Sequence, residues 1–270
     1  MGKVSRRNFL VKGFWATVGL VLLDSLLLER YFIQVKKFKL GGDEGSKISF
    51  VQISDLHLKS FGLKHKILCA RINKLKPDFI CITGDSIEKG DRLDVLEAFL
   101  EALDKDIPKK AILGNWEYWG KVSLNKLLKL YRIYNCELLV NQSRILKVGN
   151  YNIAITGVDD FLAGKPDFKT AFNRLNSYHK HIVLCHCPEY FDTIAKEFGT
   201  GVMDICLSGH THGGQVNFFG FVPFTPGGSG DYLKGFYHDK KLYVSKGVGF
   251  SLLPFRLMAR AEVGYFELGL

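Results

Sequence analysis

Short apolar runs alternate with amphipathic stretches along most of the chain, and this alternation predicts its secondary structure. The apolar runs have the length and continuity of buried strands. They lie at residues 48–54, 79–83, 111–113, 152–157, 181–185 and 205–208. The clearest helical patterns lie between them, at residues 61–76, 93–103, 123–134 and 168–175. Strands and helices in alternation predict an α/β sheet with helices on its faces.

Beyond Gly213 the pattern changes to short strands and loops. Strands are predicted at residues 215–218, 241–245 and 262–267. We therefore expect a mixed sheet that ends in antiparallel strands. From residue 31 onward the chain contains no linker, repeat or low-complexity segment, so we treat residues 31–270 as a single domain.

The first 30 residues form a separate segment, in which a basic stretch precedes an apolar one. Residues 3–12 carry four basic side chains, and residues 13–28 are apolar except for Thr17, Asp24 and Ser25. The apolar run is close to the shortest helix that can span a bilayer, about 17 residues. A signal sequence, an uncleaved anchor and an interfacial helix all fit this pattern.

The hexapeptide at residues 5–10, Ser-Arg-Arg-Asn-Phe-Leu, resembles the twin-arginine signal that exports folded proteins across the bacterial inner membrane. The alternative is a plain basic flank that holds the N-terminus in the cytosol. Four basic residues precede the apolar run and four follow it by Lys39, so the positive-inside rule favours neither side. We expect residues 1–30 to be a twin-arginine-like signal or membrane anchor. We expect the protein to associate with the inner membrane, on its cytosolic or on its exported face.

The net charge of +10, from 37 basic and 27 acidic residues, is concentrated in the N-terminal part of the chain. Residues 1–40 contain eight basic and two acidic residues, which leaves the rest nearly balanced. A nucleic-acid groove needs its excess of cations in the folded body, so this distribution argues against a nucleic-acid partner. No feature of the sequence indicates a protein partner.

Seven polar side chains with metal-ligand chemistry follow the predicted buried strands. They are Asp55, His57, Asp85, Asn115, His186, His210 and His212. The carboxyl ends of strands in an open α/β sheet are where ligands bind. Imidazole, carboxylate and amide oxygen suit divalent ions such as Mn²⁺, Zn²⁺ and Fe. Two such ions about 3.5–4 Å apart would hold the attacking and leaving oxygens of a displacement at phosphorus.

The motifs that contain these residues resemble those of the calcineurin-like metallophosphoesterase superfamily, over about residues 31–270. They are Asp55-x-His57, Gly84-Asp85, Gly114-Asn115, His186 and Gly209-His210-Thr211-His212. Residues 209–215 and 157–160 are similar to a branch of membrane-tethered bacterial phosphodiesterases. Some members of that branch resemble UDP-2,3-diacylglucosamine hydrolases of lipid A biosynthesis. The resemblance implies an α/β fold, a four-layer sandwich of two mixed β-sheets flanked by helices.

The resemblance also implies roles for the seven residues. One ion would be bound by Asp55, His57 and His212, the other by Asn115, His186 and His210, with Asp85 as the bridge. A hydroxide shared by the two ions would be the nucleophile, and we place Asp85, Asn115 and His210 among the catalytic residues. The protein would then be a metal-dependent hydrolase of a phosphodiester or pyrophosphate bond.

One position departs from the family pattern. Members usually have His after the Asn, where it helps to protonate the leaving group, whereas this chain has Gly114-Asn115-Trp116-Glu117. An indole donates a hydrogen bond but transfers no proton near neutral pH. A phosphate monoester, with a second pKa of about 6, can leave without a proton. Trp116 therefore favours a P–O–P bond, as in UDP-2,3-diacylglucosamine; a general cell-envelope phosphodiesterase and a catalytically weakened metal-binding scaffold are the alternatives.

Further positions bear on the substrate. Trp116 and Arg256 are predicted to contact it, Arg256 through a phosphate. The apolar loops at 218–224 and 248–255 would line a lipid-binding wall, dip into a bilayer or pack in the core. The basic face of the first helix of the domain is predicted to be solvated, with anionic headgroups as an alternative partner. We expect the other four histidines to be structural and the Cys185-His186-Cys187 run not to form a zinc site.

Overall fold

The computed structural model describes residues 5–23, 32–41, 45–251 and 255–270. Two mixed six-stranded sheets pack against each other, and helices cover their outer faces. The expected α/β sandwich of four layers is confirmed.

The first sheet has the strand order β1-β12-β2-β3-β4-β5. Strand β12 pairs in parallel with β1 and antiparallel with β2, and the remaining pairs are parallel. The strands are β1 (Gln34–Leu40), β2 (Lys47–Ile53), β3 (Phe79–Thr83), β4 (Lys109–Ile112), β5 (Cys136–Leu138) and β12 (Glu262–Gly269).

The second sheet has the order β10-β11-β9-β8-β7-β6. Its four central strands run parallel, and β10 and β6 are antiparallel edges. The strands are β6 (Gln142–Val148), β7 (Tyr151–Gly157), β8 (Lys180–Leu184), β9 (Ile205–Ser208), β10 (Gly235–Tyr237) and β11 (Leu242–Val244).

Three apolar clusters join the four layers. Between the sheets, Phe50 and Cys81 of the first sheet pack in one cluster with Ile155 and Leu184 of the second. The outer face of each sheet packs against its own helices. The helices are α1 (Arg6–Leu23), α2 (Leu63–Leu75), α3 (Leu93–Ala102), α4 (Asn115–Trp119), α5 (Leu124–Ile133), α6 (Phe168–Phe172) and α7 (Tyr190–Phe198). Since successive strand residues point to opposite faces, strands buried on both sides are mainly apolar.

The N-terminal segment contains helix α1, whose side chains Phe9, Phe14, Trp15 and Leu20 are exposed. Within the described part of the chain, no helix combines the length and the hydropathy needed to cross a bilayer. The expected boundary between residues 30 and 31 lies outside the described residues.

The predicted strand at 215–218 is wrong. Val216 and Phe218 form only isolated bridges, because Gly213 and Gly214 have φ of 63° and 80° and turn the chain away from the sheet. The six cysteines, all within the described residues, are buried and free.

Candidate metal centre

Both sheets contribute to a single cluster of buried polar side chains. Asp55, His57, Asp85 and Asn115 follow strands β2, β3 and β4 of the first sheet. His186, His210 and His212 follow β8 and β9 of the second. All seven side chains are at least nine-tenths buried. The packing of the two sheets therefore brings together every residue that was predicted to bind metal.

Several of these residues have an unusual backbone conformation. A positive φ is uncommon for residues other than glycine and clusters at functional sites. Five of the seven have φ between 43° and 71°: Asp55, His57, Asp85, His210 and His212. Backbone hydrogen bonds hold the loops in place, from Asp55 N to Gly84 O (3.1 Å) and from His57 N to Asp85 O (2.9 Å).

One group of ligand atoms consists of Asp55, His57 and His212. The two Nε2 atoms of His57 and His212 lie 3.1 Å apart, and His212 Nε2 lies 3.7 Å from Asp55 Oδ1. Asp55 also accepts hydrogen bonds from His210 N through both carboxylate oxygens, at 3.0 and 3.1 Å. This carboxylate thus ties the start of the His210 loop to the group.

A second group surrounds His186. Its Nε2 lies 3.2 Å from Asn115 Oδ1, 3.3 Å from His210 Nδ1 and 3.2 Å from Asp85 Oδ2. Asp85 Oδ2 is also 3.5 Å from His57 Nε2. The same carboxylate oxygen therefore faces both groups, as a bridging ligand must.

The second group fits a cation because, when its two histidine rings are neutral, only acceptors face one another there. His186 Nδ1 donates to Thr83 O at 2.8 Å, and His210 Nε2 donates to Gly227 O at 2.6 Å, since a carbonyl only accepts. The inward nitrogens of both neutral rings are then lone pairs. They face the oxygens of Asn115 and Asp85, with no proton among them when both rings are neutral. A divalent ion resolves this arrangement, and the held outer nitrogens are typical of metal-binding histidines.

In the first group, one proton lies between the Nε2 atoms of His57 and His212. Arg256 Nη2 lies 3.2 Å from His212 Nδ1, and a guanidinium only donates. The proton of a neutral His212 is then on Nε2 and points to His57 Nε2. A metal binds the lone pair of a neutral imidazole, so an ion held by His212 Nε2 would require the proton of this ring to lie on Nδ1 instead.

The electrostatics of the cluster favour added positive charge. Burial disfavours the charged form of His186, but Asp85 outweighs burial and raises the pKa of His186 well above its usual value. Burial, reinforced by His57 and Arg256, lowers the pKa of His212 well below its usual value. The carboxylates of Asp55 and Asp85 thus attract positive charge. The four histidines of the cluster cannot all be protonated to supply it. Two divalent ions fit this donor set.

Cys187 lies near His186 and His210 but is a poor ligand. Its thiol donates to Asp160 Oδ2 at 3.4 Å, and burial together with the charge of Asp160 raises its pKa well above the usual value. Metals bind the thiolate, so this thiol is not prepared for zinc. The expectation that the Cys185-His186-Cys187 run is not a zinc site stays a prediction, since the ligand atoms of His186, Cys187 and His210 lie within 4.8 Å of one another.

A cavity of about 490 Å³ opens beside the cluster. Its polar lining includes Asp85, Asn115, His210 and His212, together with Thr211, Gln215 and Ser251. The rest of the lining is mainly apolar and includes Trp116, Trp119, Leu162, Val216, Pro223, Phe224 and Phe255. The indole of Trp116 lies edge-on to the ring of His57, with the ring centres 5.9 Å apart. Trp116 is therefore placed where a substrate of this centre would lie.

Arg256 is not placed to meet a substrate phosphate, and that prediction is corrected. Its side chain is 0% exposed, and its guanidinium donates to the carbonyl oxygens of Gly249, Ala259 and His212 at 2.6–3.3 Å. With its bond to His212 Nδ1, Arg256 holds the His212 loop from behind. A sequence pattern does not distinguish a buried arginine that binds carbonyls from an exposed one that binds phosphate.

The sequence reasoning missed two acidic residues that support the cluster. Glu117 accepts hydrogen bonds from the backbone N–H groups of Gly114, Asp85 and Ser86 at 2.7–3.0 Å. Burial and the charge of Asp85 raise the pKa of Glu117 to about 7. Its spacing after Gly114 is that of a capping box, a signal that was available in the sequence. Glu88 is the second, and it contacts His57.

The four remaining histidines lie outside the cluster, as expected. His65 Nδ1 accepts from Gly62 N at the start of α2, and His179 Nδ1 accepts from Asn152 N. His181 lies between Thr156 Oγ1 (2.7 Å) and Val202 O (2.6 Å), while His238 starts a short 3₁₀ turn.

Comparison with known proteins gives consistent matches. A family model described as calcineurin-like phosphoesterase matches residues 48–214. The chain is 31% identical to the uncharacterized metallophosphoesterase YkuE of Bacillus subtilis, over 99% of both chains. It is 29% identical to an uncharacterized metallophosphoesterase of Aquifex aeolicus, over 87% of this chain and 92% of that one.

A solved structure resembles the fold. It is a putative 5′-nucleotidase from Staphylococcus aureus, with a TM-score of 0.51 and 13% identity over 81% of this chain. The chain spans about half of that protein, 54% of its length. At this identity the likeness concerns the fold alone.

Proposed function

The chain belongs to the calcineurin-like phosphoesterase family and is a metal-dependent phosphoester hydrolase, and from this premise we propose that it cleaves a lipid-linked nucleotide at a membrane. The favoured substrate is UDP-2,3-diacylglucosamine or a compound of the same chemistry, with a pyrophosphate bond between a nucleotide and a lipid-bearing sugar. Manganese is the favoured metal, with zinc and iron as alternatives.

The observation that carries the proposal is the composition of the cavity beside the metal centre. Four of the seven predicted metal-binding residues line it together with two tryptophans and several aliphatic and phenyl groups. Among the described residues that line it there is no lysine or arginine. Such a cavity suits a substrate that brings phosphate to the metal centre and places apolar groups, such as acyl chains, against the walls.

Three polar residues of the centre have distinct parts in this chemistry. When bound, two divalent ions would supply Lewis acidity and an activated water for attack at phosphorus. Asp85 presents one oxygen to both groups of ligands, and its other oxygen accepts from Trp116 N at 2.9 Å. Asn115 and His210 are held at the edge of the cavity, where they would orient the phosphoryl group.

Trp116 determines which bond is favoured. Its side chain occupies the place after Asn115, lines the cavity and has no group that can protonate a leaving oxygen. A pyrophosphate bond releases a phosphate monoester, which needs no proton to leave. The scaffold alternative is set aside, because the chain is a hydrolase of this family.

The proposal is tested by comparing substrates that differ in one feature. UDP-2,3-diacylglucosamine and UDP-N-acetylglucosamine share the nucleotide and the pyrophosphate, but only the first has two long acyl chains. We expect kcat/KM to be at least about tenfold higher for the acylated compound, since burying one acyl chain against apolar walls can supply the required 1.4 kcal/mol. Equal kcat/KM values would contradict a lipid-linked substrate.

A general phosphodiesterase of the cell envelope is the second candidate. The Ser-Arg-Arg-Asn-Phe-Leu sequence at residues 5–10 favours it, since an exported domain would not meet cytosolic nucleotide sugars. A reporter that is active on one side of the membrane only, fused after Leu270, separates the two candidates. Activity of an exported reporter would favour the envelope enzyme, and activity of a cytosolic reporter the nucleotide-sugar hydrolase.

A further inference from the structure

A hairpin next to the metal centre exposes four phenylalanine side chains. Phe218, Phe219, Phe221 and Phe224 are 50%, 89%, 69% and 66% exposed. Phenylalanine is usually buried in soluble proteins, and a contiguous exposed apolar patch marks an interaction site. From Gln215 to Gly230 the sequence contains no charged residue, so the patch is also without charge.

The tip of this phenylalanine hairpin, defined as residues 217–224, is a strained turn. Phe218 and Phe221 exchange two backbone hydrogen bonds, at 2.8 and 3.0 Å, around Phe219 and Gly220. Both tip residues have positive φ, 53° and 104°, a conformation that favours Asn and Gly. A phenyl group is disfavoured there, and at 89% exposure Phe219 gains little from packing in return. The side chain is therefore suited to a contact outside the folded chain.

The phenylalanine hairpin borders the entrance of the active-site cavity. Pro223 and Phe224 line the cavity, together with Trp119 and Leu162, which are also exposed. Apolar side chains from three separate segments thus surround the opening beside the metal centre. A lipid surface that covered this apolar opening would bring its lipid molecules directly to the metal centre.

A second groove, of about 650 Å³, adjoins the cavity and adds positive charge. Phe250 lines the groove and Ser251 lines the cavity, so consecutive residues join the two. Helix α2 borders the groove, contains no acidic residue and exposes Leu63 and Ile67. Its basic residues are Lys64, Lys66, Arg71 and Lys74. Apolar groups flanked by cations are the composition that binds anionic membrane surfaces.

We propose that the phenylalanine hairpin and helix α2 dock together on the surface of an anionic lipid bilayer. Phe219 and Phe221 insert among the acyl chains, and the basic residues of α2 contact the headgroups. The opening of the cavity then faces the lipid, so that a lipid-borne phosphate reaches the metal centre without leaving the bilayer. The delivery of substrate rests on the proposed function, which the docking deepens. Docking itself is measured by vesicle binding, separately from hydrolysis.

The three tryptophans of the chain allow a direct test. Trp116 and Trp119 line the cavity, whereas Trp15 lies in α1. In a full-length Trp15→Phe chain, fluorescence reports only on the opening of the cavity. We expect phosphatidylglycerol vesicles with brominated acyl chains to quench this fluorescence, because bromine quenches indoles only at short range.

Two sets of variants identify the docking residues. A chain that carries both Phe219→Ser and Phe221→Ser, at the two exposed positions, should lose most of the quenching. Ile133→Ser is the matched control, since Ile133 is 62% exposed on α5 and lines neither cavity. The pair Lys66→Glu and Lys74→Glu should lose quenching with phosphatidylglycerol vesicles. Equal quenching by phosphatidylglycerol and neutral phosphatidylcholine vesicles would overturn the role of the basic residues.

Two further results would contradict the docking proposal. A chain that sediments with vesicles while the tryptophans of the cavity stay unquenched is held by α1 alone, and the docking proposal is then wrong. The proposal is equally wrong if the Phe219→Ser and Phe221→Ser pair is quenched as strongly as the control. The same pair should hydrolyse soluble bis-p-nitrophenyl phosphate at the unmodified rate, so a failure of docking is distinguished from a failure of the proposed function.

Discussion

His57 Nδ1 lies 3.3 Å from Glu88 Oε1, and the other oxygen of the same carboxylate lies 3.0 Å from Lys59 Nζ. Burial disfavours the charge of Glu88, but its contacts with His57 and Lys59 outweigh burial and lower its pKa. The ionised carboxylate lies beside Nδ1 of His57, while Nε2 on the other side of the ring faces Asp85 and His212. A carboxylate behind a histidine is a common support for a metal ligand.

Replacing Glu88 with Gln should weaken metal binding about 10–100-fold, because the neutral amide removes negative charge from behind the ligand His57. The measurement is a titration of the metal-free protein with Mn²⁺. Glu101→Gln, on an exposed position of α3, is the matched control. Equal Mn²⁺ affinities of the Glu88→Gln and Glu101→Gln variants would show that Glu88 does not support His57.

Replacing Trp116 with His should restore a proton donor at the cavity. Hydrolysis of an alkyl diester such as glycerophosphocholine should rise by about 10²-fold, at the lower end of general-acid catalysis, because its alkoxide needs a proton to leave. Bis-p-nitrophenyl phosphate has an acidic leaving group and should respond much less. The measurement is kcat for both esters, with Trp119→His as the control. Equal changes for the two esters would contradict the role given to position 116.

The neutral His65 should make folding stability depend on pH. Burial, with the charge of Lys64, lowers the pKa of His65 to about 4. Below pH 6.5 the unfolded chain binds a proton that the folded chain does not bind until about pH 4. The contribution to stability is therefore complete above pH 6.5 and is lost as the pH falls toward 4.

His65→Gln tests this dependence, because Gln can accept the hydrogen bond from Gly62 N and does not titrate. Between pH 7 and 4.5 the unmodified chain should lose about 2 kcal/mol more stability than the variant, after allowance for solvent screening. Urea unfolding of both metal-free chains at the two pH values measures the difference. Parallel losses in the two chains would show that His65 titrates normally.

Buried strands were easier to predict from the sequence than the half-exposed strand at the edge of the sheet. Strands β2, β3, β8 and β9 lie between packed layers, so most of their residues are apolar, and this pattern is visible in the sequence. Strand β1, with the sequence QVKKFKL, is a half-exposed edge and was missed. Its pairing with β12, distant in sequence, determines its conformation, and this pairing is not encoded in a local pattern.

The candidate site was predictable residue by residue, whereas its geometry was not. Each polar residue follows a strand, which the sequence indicates, but the contact between His186 and Asn115 joins two sheets. The phenylalanine hairpin was predicted to line a wall, enter a bilayer or pack in the core. Phe224 lines the cavity wall, while Phe219 is too exposed to belong to the core.

The most direct test of the two-metal centre is a titration of the metal-free chain with Mn²⁺ while hydrolysis of bis-p-nitrophenyl phosphate is followed. Asp85 faces both ligand groups, so activity should rise to a plateau at two Mn²⁺ per chain. Asp85→Asn should lower that plateau by at least about 10²-fold, because the bridge loses its charge. A plateau at one Mn²⁺ per chain, or hydrolysis that persists without metal, would contradict the two-metal centre.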